Sequence, residues 1–277
     1  GKELNDDFGL NWYDYGARYY MPDIGRWGQI DLMAEKYAPL STYNYSFNSP
    51  IRFFDPDGSD PGDVLVAFGG ADSFSKGNVG ATKGIVDNLR DTYFKEKGGS
   101  AKAFVSQYWT RETYNGQYGP VSGLTNTLEN LDAVTQDAYE YVLKNYSEGG
   151  RVILFGYSYG GVLATHLEER LKDAGIKVDL LVTVDAAAGP DNEKVDRTIS
   201  NNTEENLNIY QPNTSPVGSR GNRNTREDGT ERGITNKIKV TYKDEKGETK
   251  KMSHSAVFGE STKEVIQKIL ETLNNKK

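Results

Sequence analysis

The chain has 277 residues, 36% of them hydrophobic and 26% charged, enough to bury a full core without covalent staples. It contains no cysteine, which excludes disulfides, zinc–thiolate sites and a cysteine nucleophile. The net charge of −7 offers nucleic acid no general attraction, so no nucleic-acid partner is expected.

No run of about 18 apolar residues marks a membrane-crossing helix. The first residues, Gly1-Lys2-Glu3-Leu4, lack the basic-then-apolar pattern of a secretory signal and read like the middle of a longer protein. Any export address is therefore expected on sequence outside this chain. Residues 1–58 are dense in Tyr, Asp, Gly, Asn and Pro. Trp12, Tyr13, Tyr15, Tyr19 and Tyr20 crowd together ahead of Pro22 and Gly25, the texture of short aromatic strands broken by turns. A segment of this size is marginal alone. It reads as a piece that completes a larger β-structure.

From Asp63 onward apolar strands alternate with amphipathic helices. Strands are expected at Val64–Phe68, Ala101–Tyr108, Val152–Phe155, Leu180–Val184, Leu207–Tyr210 and, sixth, Lys237–Tyr242. Helical spacing links Leu124, Leu128, Leu131, Val134, Ala138, Tyr141 and Val142, then Val162, Leu163, His166, Leu167, Arg170 and Leu171 before a stop at Gly175. A final helix carries Val265, Ile266, Ile269, Leu270 and Leu273. This alternation predicts an α/β fold, a mostly parallel sheet with helices on both faces, over residues 59–277. Between the late strands, 211–236 is rich in Asn, Gly, Arg, Thr and Pro and reads as a loop or mobile insert.

Gly156-Tyr157-Ser158-Tyr159-Gly160 falls between a predicted strand and a predicted helix, the context in which G-x-S-x-G makes Ser158 a candidate nucleophile. A turn tight enough to expose that hydroxyl leaves no room for side chains two residues away on either side. A serine needs a base, and the chain has two histidines. His166 lies on the helix leaving the turn and is read as structural. His254, on a late loop before the final helix, is read as the base. Asp185 ends the Leu180–Val184 strand and is the expected acid, with Asp191 in the same loop as its rival. Oxyanion donors are expected from the amide of Tyr159 and from Gly70 or Ala71 after the first strand. Trp109 could wall the pocket or belong to the core. Such a site needs no metal and no cofactor.

Two resemblances add to this. Asp14-Tyr15-Gly16-Ala17-Arg18-Tyr19-Tyr20, Pro22-Asp23-Ile24-Gly25-Arg26-Trp27, Ala34-Glu35-Lys36-Tyr37, Tyr43-Asn44-Tyr45 and Asn48–Gly58 closely resemble the end of the core domain of Rhs (rearrangement hot spot) and YD-repeat proteins. The resemblance implies a core segment over 1–58 that plugs a hollow β-cocoon, with a toxin domain following. Many members cut themselves near the Asp-Pro-x-Gly motif with paired carboxylates. Mapped here, these are Asp31 and Asp55, although Leu32 and Ser59 depart from the family pattern and both aspartates can equally form turns.

The second part resembles lipase-like α/β-hydrolases through Leu154–Gly161 and Leu181–Asp185. Together the resemblances imply a secreted effector, of the kind delivered in type VI secretion and interbacterial competition. Its expected activity is that of a lipase or phospholipase on membrane lipid esters. The expected partners are the target-cell membrane surface, a cognate immunity protein, the rest of the Rhs cocoon and secretion components. The alternatives are an amide or peptide hydrolase with the same triad, or a binding module on a hydrolase scaffold.

Overall fold

A computed structural model describes residues 3–6, 9–15, 18–30, 41–45, 63–70, 82, 84–89, 91–92, 128, 131–146, 150–213 and 220–274, and the backbone of 104–109. The expectations for Asp31, Asp55 and Ala71, and for the side chain of Trp109, lie outside these residues.

The Tyr-rich segment forms an antiparallel meander of four short strands in sequence order: β1 (Glu3–Asn5), β2 (Trp12–Asp14), β3 (Tyr19–Met21) and β4 (Arg26–Trp27). Cross-strand register places Tyr13 opposite Tyr20, and Tyr20 opposite Trp27. Trp27 is fully buried. The rings of Tyr15 and Tyr45 meet it edge-on at 5.1 and 5.2 Å, and the Arg18 guanidinium lies 4.5 Å from its centre.

The second region begins with β5 (Asp63–Phe68) and β6 (Phe104–Trp109), followed by α1 (Leu131–Asn145), β7 (Val152–Tyr157), α2 (Tyr159–Asp173) and β8 (Val178–Val184). Then come β9 (Thr198–Ile199), β10 (Thr203–Tyr210), β11 (Thr225–Arg226), β12 (Ile234–Ile238), β13 (Thr241–Lys243), β14 (Thr249–Lys251) and α3 (His254–Asn274). Six of the strands make one parallel sheet in the order β12-β10-β8-β7-β5-β6. All residues of β5, β7 and β8 are buried, because helices cover both faces. On one face α1 and α2 pack over Val64, Val66, Val152, Leu154 and Leu181. On the other, α3 and the helical residues 84–89 pack over Leu65, Ala67, Ile153, Phe155 and Val182. This is the α/β arrangement expected from the alternation of elements.

Several details differ from the sequence reading. Helix α1 starts at Leu131, and Leu128 lies in a bend ahead of it. The expected sixth strand, Lys237–Tyr242, divides: β12 joins the sheet, while β13 pairs antiparallel with β14 in a separate hairpin. The insert 211–236 is not merely a loop. It contributes β11, which pairs with β9, and the start of β12. Finally, α3 begins at His254 itself. Ser253 caps it by accepting the Ala256 N–H at 3.1 Å, a signal that apolar periodicity alone does not register.

The strand order sets the position of a crevice. From β5 the chain passes to β6 by way of the face that α3 occupies, then returns through α1 on the opposite face to β7, on the other side of β5. The connections leaving the carboxyl ends of β5 and β7 therefore diverge, which is where open α/β sheets bind ligands. Register aligns Phe68 with Gly156, so Gly69-Gly70 and Ser158 emerge side by side.

Candidate active site

Ser158 occupies the bend between β7 and α2 with φ 56° and ψ −126°, a region that costs a non-glycine residue about 1–3 kcal/mol. Backbone bonds hold the bend: Ser158 N–H donates to the Val184 carbonyl at 3.0 Å, and the Ser158 carbonyl accepts from Gly161 N–H at 2.9 Å and Ala187 N–H at 3.1 Å. A Cβ on Gly156 would meet the Gly160 carbonyl oxygen at 2.1 Å, and one on Gly160 would meet the Phe68 carbonyl oxygen at 2.3 Å. The motif's glycines are therefore required by backbone approaching backbone.

Ser158 stands at the N-cap of α2 but does not cap it with its side chain. Its Oγ instead lies 2.7 Å from His254 Nε2, and His254 Nδ1 lies 2.7 Å from Asp185 Oδ2. A carboxylate can only accept, so the imidazole proton sits on Nδ1 and Nε2 accepts the serine hydroxyl. The structure thus brings together Ser158, His254 and Asp185. Asp185 is fully buried, at φ 46°, and its N–H donates to the Ile209 carbonyl. The rival Asp191 pairs with Lys194 at 2.8 Å instead. His166 is paired 2.8 Å from Asp132 across α1 and α2, a contact that ties the helices and lowers the Asp132 carboxyl below its ordinary value.

Gly70 abuts Ser158 closely enough that a Cβ on it would touch Ser158 Cβ at 3.0 Å. Tyr159 opens α2, so its amide belongs to the helix's first turn, where N–H groups point back toward Ser158. Its side chain packs into the core beneath, and burial pushes the phenol up to about 12.

Sequence reasoning missed several residues around the triad. Tyr157 stacks on the His254 ring, centroids 5.2 Å apart at 24°, and its hydroxyl donates to the His254 carbonyl at 2.9 Å. Alternation along β7 was the available signal, since it sends Tyr157 to the α3 face while Ser158 turns out of the sheet. Arg197 donates to the Ala186 carbonyl at 3.0 Å, one residue past Asp185. Burial pushes this guanidinium below its ordinary value, and the nearby Asp185 charge opposes that shift. Gln211 and Gly221, both from the supposed insert, bond to Asp185 directly.

The strand order, the strained bend at Ser158 and the hydrogen-bonded serine, histidine and aspartate define a fold of α/β-hydrolase type. No family model matches the chain. A 58-residue stretch is 52% identical to salivary gland surface protein 1 of Aedes aegypti, covering 21% of this chain and 2% of that protein's length. Among solved structures, the chain is similar to a NocB thioesterase domain in covalent complex with a fluorophosphonate nocardicin G analog, at 14% identity and TM-score 0.43 over 78% of this chain and 96% of that one. It is also similar to the type II thioesterase BorB from the borrelidin biosynthetic cluster, at 14% identity and TM-score 0.39 over 77% and 93%. An acetyl xylan esterase follows at 10% identity and TM-score 0.38, over 78% and 100%.

Proposed function

We propose that this chain is a serine hydrolase of carboxylic esters, with Ser158 as nucleophile, His254 as general base and acid, and Asp185 as the group that orients the imidazole. The observation that carries this reading is the unbroken relay from a buried carboxylate through His254 to a hydroxyl held on a strained bend. As Ser158 Oγ bonds to the substrate carbonyl carbon, its proton passes to His254 Nε2. The oxyanion that forms is held by the amides of Tyr159 and Gly70. Collapse breaks the ester C–O bond, and the departing alcohol takes the proton from Nε2. Water, deprotonated by the same nitrogen, then releases the acid and restores the serine.

The finer reading is a lipase or phospholipase acting on membrane lipid esters. It is carried as an exported toxin behind the Rhs-like segment, with a cognate immunity protein covering the site and the cocoon and secretion components delivering it. Its support is the density of Rhs-like motifs in residues 1–58, which in that family precede a toxin domain. A fluorophosphonate probe should label the wild type and not Ser158→Ala. Equal labelling of both, or of neither, would remove the enzyme reading and leave a binding module. Incubation with phospholipid vesicles should release fatty acid, and turnover of peptides with vesicles untouched would replace the lipid reading by an amide hydrolase.

A further inference from the structure

We infer that Gln211 is a positioning residue for Asp185, and that Arg220–Asn224 forms with it a clasp that sets the acid's orientation; this rests on the triad reading above. A carboxylate offers about four lone-pair directions, and all four are taken here. Oδ2 accepts from His254 Nδ1 and from Gln211 Nε2 at 3.1 Å, while Oδ1 accepts from the amides of Gln211 at 3.2 Å and Gly221 at 2.5 Å. The carboxylate has no rotation left that keeps these bonds. Gln211 is fully buried, and its Oε1 accepts the Asn213 N–H at 2.7 Å, so its amide nitrogen must be the end facing Asp185. Gly221 fits closely enough that a Cβ would lie 2.5 Å from Asp185 Oδ1 and 2.6 Å from Tyr210 Cβ.

The sheet spends buried polar groups to hold this segment. Asn206 and Asn208 lie two apart on β10, hence on one face, in a residue type that strands disfavour. Asn208 Nδ2 donates to the Asn222 carbonyl at 2.8 Å, and Asn224 Nδ2 donates to Asn206 Oδ1 at 3.1 Å and Thr183 Oγ1 at 3.2 Å. Asn236 exchanges two bonds with the Asn224 backbone, at 2.9 and 3.0 Å, and Asn192 Nδ2 donates to the Arg220 carbonyl at 2.8 Å. Thr183, Asn206, Asn208 and Asn224 are all buried, where an unpaired amide would be costly. What they jointly fix is a short stretch of backbone whose Gly221 amide ends on the acid.

The test is a double-mutant cycle on hydrolysis of a soluble p-nitrophenyl ester. Gln211→Met keeps side-chain length and loses both polar contacts. It should lower kcat by roughly 10- to 100-fold with KM nearly unchanged, and should cost nothing further in an Asp185→Asn background. Asn224→Ser should give a smaller loss with the same non-additivity, and carries the test if Gln211→Met does not fold. Full additivity in the Asp185→Asn background, unchanged kcat in Gln211→Met, or failure of both variants to fold would overturn the inference, leaving the segment a part of the fold alone. If Asp185→Asn itself leaves turnover intact, the triad reading fails instead, and that result is distinct from each of the others.

Discussion

Trp27 is the centre of the N-terminal region, ringed by Tyr15, Tyr20, Tyr45 and Arg18, whereas from Asp63 onward whole strands are buried end to end. The meander has no element with a continuous apolar face: β1 is mostly exposed, and β2 and β3 are half-buried throughout. Large rings make the contacts around Trp27, and each ring pair adds about 0.5–1.5 kcal/mol beyond the area it covers. The parallel sheet distributes burial over two apolar layers, and this leaves it free to hold a strained bend and buried polar groups at its carboxyl edge. Strands gathered round one indole should fail locally and all at once. A sheet held by two layers should tolerate a strained site.

The largest expected effect lies at that edge. Asp185→Asn preserves shape but replaces one acceptor oxygen by a donor that faces two N–H groups, and should cost about 10³–10⁴-fold in ester turnover together with about 1–3 kcal/mol of stability. A collapse of stability without a specific loss of turnover would mean that Asp185 serves the fold. In the meander, Trp27→Ala removes the ring that three tyrosines share and should cost about 3–5 kcal/mol locally. Protease nicking or faster hydrogen exchange across residues 12–27 should report it, while ester turnover stays at the wild-type value. If turnover falls in step with nicking, the two regions are energetically coupled and fail together.

The two regions were also legible to different depths. The strands of the parallel sheet could be read because double burial writes unbroken apolar runs, as in Val64–Phe68 and Leu180–Val184. The G-x-S-x-G bend could be read because its glycines answer to backbone sterics that no other residue satisfies. Asp185 and His254 followed from chain order and from the scarcity of histidines. The clasp was not legible, since Gln211, Gly221 and Asn224 act through backbone amides and polar contacts between residues distant in sequence. Composition reported only a polar stretch. Ser253 as a cap and the bond from Tyr157 to the His254 carbonyl were missed for a related reason: both are directional hydrogen bonds, and periodicity gives the face a side chain takes, not its partner.

The smallest expected effect separates the regions by pH. Glu168 on α2 is almost fully buried, where its carboxylate accepts from the Ser200 and Thr203 hydroxyls. Burial raises its carboxyl above the ordinary 4.5, more than the two hydroxyl bonds lower it. A raised folded value means that the stability this group contributes is present below the unfolded value and is lost as pH climbs through the folded one. Glu168→Gln retains an acceptor for both hydroxyls and carries no charge. It should therefore melt above the wild type at neutral pH, with the gap closing as pH falls toward 4.5. Tyr20 in the meander is also raised, by burial first and by Tyr45 second, but from 10.0, so by the same sign its contribution is lost only in alkali. Melts followed separately, by hydrolase activity and by exchange across β2–β4, should show the parallel-sheet region weakening from mild acid upward and the meander holding until strongly basic pH. A Glu168→Gln variant that melts below the wild type at pH 7 would mean that the charged form is the one its hydroxyl partners stabilise.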